Sequence, residues 1–176
     1  MNVIQPHTQS EAAYWIDKLN LQAHPEGGFY SEIYRSEDKI QPTGLPERFT
    51  ESRSAATAIY FLLTGDTFSA LHKIQSDEGW HFYAGTSGLT IYTISPEGQR
   101  QDFLLGKNPD LQESLFHWVP AGHWFGARVN DPLGFALVGC TVAPGFDFQD
   151  FQLAKQDELI QQFPQHQRLI HVLTRM

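Results

Sequence analysis

The chain has 176 residues, 41% of them hydrophobic and 18% charged, which is the size and composition of one soluble globular domain. Its formal net charge of −8 speaks against nucleic acid or an anionic membrane surface as a partner, since both call for a basic footprint. No apolar run is long enough to span a bilayer and no signal-peptide pattern opens the chain, while the single cysteine, Cys140, rules out an internal disulfide; the expected compartment is the cytoplasm.

Residues 1–7 read as a loose end. Thr8, Gln9, Ser10 and Glu11 form a capping-box pattern, with Thr8 accepting from the backbone and Glu11 reaching back. Ala12, Trp15, Ile16 and Leu19 then share one helical face, which predicts an amphipathic helix over about 9–20 that lays its Trp15 stripe on a sheet. Pro25 breaks the chain, and Gly27-Gly28 permits a close-packed backbone. Residues 29–34 alternate as a strand. Residues 36–54 are polar, carry Pro42, Gly44 and Pro46, and show no period, so they read as a long loop. Arg48 and Arg53 in it could reach an anionic ligand; the plainer reading is solvated surface charge.

Further strands are expected over 55–63, 68–74, 78–84, 89–94, 100–105, 115–119, 124–129 and 135–142, split by Gly- and Pro-bearing turns. Many short strands at this spacing predict an all-β sandwich or barrel. Cys140 sits in an apolar run and reads as a buried, inert thiol. Phe146, Phe148 and Phe151 would cover an open barrel edge or a partner subunit. Residues 155–163 read as a short helix ended by Pro164; the tail beyond is unassigned, with His166 and His171 as surface residues.

Two stretches carry the candidate chemistry. In the first, His72 and Ile74 share one strand face, residues 75–79 form a polar turn, and Glu78, Trp80 and Phe82 share a face opposite His81 and Tyr83. This reads as a hairpin with His72 and Glu78 inward and His81 outward. In the second, His117 to Val129, a Pro120-Ala121-Gly122 turn joins two strands. Together the stretches resemble the paired motifs of the cupin superfamily. Gly65, His72, Glu78 and Gly85 stand at places of the first motif, with Ile74 where a second His belongs. Pro120 and Gly122 match the second, with Phe125 in place of its final His. The run from His24 to Tyr30, with Asp77-Glu78 and Trp80-His81-Phe82, is similar to the cupin five subfamily, largely without assigned function. The resemblance covers roughly residues 10–155. It implies an all-β cupin jelly-roll barrel with an N-terminal helix and a short C-terminal helix: one domain over 1–176 with a core of about 25–155.

Many cupins bind a divalent metal through three His and one Glu. Here only His72 and Glu78 keep those places, with His123, at the turn, as the substitute of suitable parity, so the metal ligands stay open. A metal-free reading suits the residues better and requires no cofactor, with a divalent metal kept as the alternative. Some cupins, sugar-nucleotide epimerases among them, use a His base and a Tyr acid. By that resemblance His72 would abstract a proton beside a carbonyl, Glu78 would orient it, and Tyr60 would be the acid. Trp80 and Phe125 would wall a carbohydrate-like ligand, and His24 and Glu26 would add polar contacts at the mouth. The alternatives are a non-enzymatic ligand-binding or structural cupin and a metal-dependent, dioxygenase-like enzyme. Exposed-looking aromatics after Val142 and apolar edge strands suggest a homodimer.

Overall fold

Helix α1 (Glu11–Lys18) starts at Ser10, whose hydroxyl accepts from the Ala13 N–H at 3.2 Å. Ser10 is therefore the cap. The computed structural model describes residues 10–175, so Thr8 and the expected loose end lie outside the described residues. Strands β1 (Gln22–Ala23) and β2 (Phe29–Arg35) flank the His24–Gly28 turn. The expected long loop folds as a short ladder of β3 (Lys39–Ile40) with β4 (Arg53–Ser54). Then come β5 (Thr57–Thr64), β6 (Phe68–Lys73), β7 (Asp77–Gly85), β8 (Leu89–Ile94), β9 (Arg100–Leu105), β10 (Phe116–Val119), β11 (Trp124–Val129), β12 (Phe135–Ala143) and β13 (Gln152–Leu153). Helices α2 (Gln156–Gln162) and α3 (Gln167–Leu173) close the described chain. The unassigned tail is thus largely helical.

The strands form two principal sheets. One runs β1-β2-β5-β12-β7-β10 and the other β13-β6-β11-β8-β9, a jelly-roll arrangement. Between them lies the main core, built from inward-facing Phe61, Trp80, Phe125, Ile91 and Val138. Trp80, Phe61 and Phe125 are fully enclosed, and burying each large side chain is worth roughly 1.5–3 kcal/mol. Helix α1 lays Trp15, Ile16 and Leu19 on the outer face of the first sheet, against Leu62 and Leu137. Helices α2 and α3 cover the outer face of the second with Leu159, Phe163 and Ile170 against Leu71 and Trp124. Strand β5 is therefore apolar on both faces, and β6 turns Leu71 to its helices while Ser69 and His72 face inward.

One topological expectation changes here. β6 and β7 belong to different sheets and do not pair, so residues 74–76 cross the sandwich instead of turning a hairpin. His72 and Glu78 consequently reach the interior from opposite walls.

Candidate functional site

The His24–Gly28 turn brings the first two site residues into place. Gly27 N–H donates to His24 O and His24 N–H to Gly28 O, each at 3.0 Å. Gly27 has φ +116°, and a Cβ there would collide with Phe68 O and the Arg175 guanidinium, so glycine lets the turn press against β6. The turn then docks: Ala70 N–H donates to Glu26 O at 2.9 Å. Glu26 is thereby carried under β6, where the Ser69 hydroxyl donates to its Oε1 at 2.7 Å and His72 Nε2 stands 3.2 Å from its Oε2. His24 and Glu26 lie deep in the interior, with side chains about 8% exposed, and not at the mouth expected from sequence.

The hydrogen bonds fix the tautomers. His72 Nδ1 lies 2.8 Å from Ala70 O, and a carbonyl only accepts, so Nδ1 carries a hydrogen. His24 Nδ1 accepts from the Glu26 N–H at 3.3 Å, so its hydrogen is on Nε2. A single proton must therefore lie between His72 Nε2 and Glu26 Oε2; otherwise two lone pairs would face each other. Burial raises the Glu26 carboxyl and lowers the His72 imidazolium, so both effects draw that proton toward Glu26, while His24, the Ser69 hydroxyl and Arg175 act against the rise at Glu26. Burial likewise lowers His24.

Glu78 faces this pair from the other sheet. Its carboxyl is pushed up to about 7, chiefly by burial, while His72 draws it down and Glu26 raises it. Cys140, on β12 beside it, is pushed well up by burial and stays a thiol. The Trp80 indole N–H also draws the Glu78 carboxyl down, yet its Nε1 completes no hydrogen bond.

His24, Glu26, His72, Glu78 and Cys140 line one cavity of about 140 Å³. Tyr30, Phe61, Ile74, Val142, Phe146 and Phe151 supply its apolar walls, and Glu32 and Arg35 join them from the outer half of β2. The wall formed by residues 145–151 is held from outside. Phe146 N–H donates to Thr57 Oγ1 at 2.9 Å, Arg35 Nη1 donates to Phe146 O at 3.0 Å, and Arg53 grips Asp150 with two bonds of 2.7 Å. Phe146, Phe148 and Phe151 thus line the cavity; Phe148 also remains half exposed. Arg53 is buried and paired, so it is not solvated surface charge, while Arg48 stays exposed and donates to Gln75 O at 2.6 Å.

His72, Glu78, His24 and Glu26 are brought together. The other four candidates are not in the lining. Tyr60 projects to the outer face of β5 beside Leu62 and packs near Tyr83, with ring centroids 6.0 Å apart. It faces away from the cavity. Trp80 and Phe125 are core; Phe125 backs His72 at 4.1 Å between ring centroids. His123 stays at the turn before β11, with Nδ1 3.5 Å from Ala121 O. His81 lies on the outer face of β7, near Tyr83 and Phe116, as strand parity requires. Sequence reasoning missed Ser69, Cys140 and the Phe146–Phe151 wall. For Cys140 the signal was present: it shares inward parity with Val138 and Val142.

The family model described as Cupin superfamily (DUF985) matches residues 13–154. The chain belongs to this cupin family. A crystal structure of protein SO0799 from Shewanella oneidensis is 40% identical, with a TM-score of 0.84, over 95% of this chain and 99% of that one. A hypothetical protein from Leishmania major is 35% identical, with a TM-score of 0.83, over 93% and 98%. The uncharacterized protein YML079W of Saccharomyces cerevisiae is 31% identical over 174 residues, 90% of this chain and 83% of that protein.

This cupin does not fit the three-His, one-Glu metal pattern of the wider superfamily. Ile74 offers the cavity only hydrocarbon, and Phe125 offers a ring face to His72. His72 Nε2, whose lone pair a metal would need, is engaged by Glu26. Among the described residues no three His, Cys, Asp or Glu side chains form a group able to hold a metal ion.

Proposed function

We propose that this cupin binds a small carbonyl compound in the cavity and moves a proton on it, as a metal-independent isomerase or epimerase. The observation that carries the reading is the Glu78 carboxyl facing the hydrogen-bonded Glu26–His72 pair across one apolar-walled cavity. Glu26 shares a hydrogen bond with His72, while burial pushes the Glu78 carboxyl up to about 7. A carboxyl whose proton affinity lies near the working pH suits a general base.

In this reading Glu78 carboxylate takes the proton from carbon beside the carbonyl. The C–H electron pair moves into the carbonyl to give an enolate. His24 Nε2–H, the donor left uncommitted, hydrogen-bonds the developing oxyanion, while Glu26 stays paired with His72. The hydroxyl hydrogen passes between the two oxygens of the enediolate and Glu78 returns its proton to the neighbouring carbon, which gives the isomer and restores the Glu78 carboxylate, with no external oxidant or reductant. His24 takes the place at the oxyanion expected of Tyr60, and Glu78 takes the base role expected of His72.

The test is solvent exchange. Short aldoses and ketoses are incubated with the protein in D₂O and followed by proton NMR. Deuterium should enter the carbon beside the carbonyl with wild type, and Glu78→Gln should slow it at least a hundredfold while remaining folded. Equal rates in the two proteins would refute the assignment. One observation favours a second reading, a binding module without turnover: both His72 nitrogens are committed to protein atoms. Ligand binding with no exchange would select it.

A further inference from the structure

The cavity lining contains three carboxyl groups, Glu26, Glu32 and Glu78, and a single guanidinium, Arg35, with no lysine. That guanidinium is committed. Its Nε and Nη2 donate to Glu32 at 2.9 and 2.7 Å, and its Nη1 donates to Phe146 O at 3.0 Å. Two further arginines stand nearby without entering the lining. Arg53 is held by Asp150, and Arg175 lies over the Phe68 ring behind Glu26.

The imidazoles are the remaining groups that could turn cationic. Nε2 of His72 is occupied by Glu26. Nδ1 of His24 takes the Glu26 backbone N–H, and its ring is boxed by Tyr30, Phe61 and Phe151. Cys140 and the Tyr30 phenol complete the titratable groups facing the interior. What the cavity offers a ligand is therefore hydrogen bonding without a free cation. His24 Nε2–H, which makes no hydrogen bond among the described residues, is a donor; Glu26 and Glu78 supply the rest.

From this geometry we infer that the site selects small uncharged hydroxy-carbonyl ligands and excludes carboxylate and phosphate ions. This rests on the reading of the cavity as a ligand site. An entering anion would lose its water and meet Glu26 and Glu78 with no uncommitted cation, and an unpaired buried charge is strongly unfavourable. The size agrees with a small ligand: about 140 Å³ is well below the ~300–1,000 Å³ of pockets for drug-sized molecules.

Lactamide and lactate are probes of nearly equal shape that differ in charge. Each is titrated into the full chain at pH 7.5, following the methyl resonances of Ile59, Ile74 and Val142, which line the cavity. Lactamide should bind at least tenfold more tightly than lactate, and the gap should narrow at pH 5.5, where Glu78 is protonated. Arg35→Ala should leave lactate binding weak. Lactate binding as tightly as lactamide, lactate binding that Arg35→Ala abolishes, or no methyl shift with lactamide would each overturn the inference. Lactamide binding without solvent exchange on any hydroxy-carbonyl compound would remove the isomerase reading and leave the selectivity standing. Exchange on an anionic substrate would do the reverse.

Discussion

At the scale of single residues, Glu78 carries a definite linkage between pH and stability. Its carboxyl sits at about 7 in the fold against an ordinary value of 4.5. The folded state holds this proton more tightly, so the contribution is fully present below pH 4.5 and is lost as pH rises through 7. Glu78→Gln keeps the neutral shape at every pH. The unfolding free energy of the variant relative to wild type should therefore rise between pH 4.5 and 8, by on the order of 3 kcal/mol. Urea titrations at each pH measure it, and a flat difference would contradict the burial argument. His24 and His72 run the opposite way. Their lowered values give stability present above pH 6.5 and lost on acidification, and most of that cancels in the comparison. Sequence parity was sufficient to turn His72 and Glu78 inward. It offered no guide for Tyr60, placed by resemblance alone, because α1 packs behind β5 and makes both faces of that strand apolar, which erases the alternation that parity relies on.

At the scale of elements, most strands were legible, since Gly and Pro turns punctuate them and β8, β9 and β11 match the expected bounds. The polar segment before β5 was not legible as structure, because its ties are to residues about a hundred positions away. Arg53 joins Asp150, and Gly145 N–H donates to Ser54 O at 2.7 Å. This segment is a brace for the aromatic wall. The Arg53–Asp150 side chains are only 2% and 8% exposed. Breaking a buried pair costs ~3–5 kcal/mol, and Arg53→Ala should fall at the lower end, about 3 kcal/mol, because the pair lies in a shallow site. A shift in urea midpoint with unchanged slope checks it; a loss below about 0.5 kcal/mol would mean the brace does not hold the wall.

At the scale of the whole molecule, the two sheets converge four chemistry-bearing side chains from three separate parts of the chain. The His24–Gly28 turn supplies two, β6 one and β7 one, across a gap that no local pattern reveals. That is why the candidates were readable singly while their proton sharing was not: it depends on Glu26 being docked under β6 by the Ala70 N–H. The account stands on Glu26 holding the shared proton while Glu78 exchanges its own near neutral pH. Carbon-13 NMR of Glu side-chain carboxyls, with nitrogen-15 NMR of the His rings, across pH 4 to 9 tests this most directly, each signal assigned by Glu78→Gln, Glu26→Gln and His72→Gln. Glu78 should titrate near 7, and His72 should stay a neutral ring protonated on Nδ1 throughout the neutral range. A Glu78 midpoint near 4.5, or His72 present as imidazolium at pH 7, would contradict it.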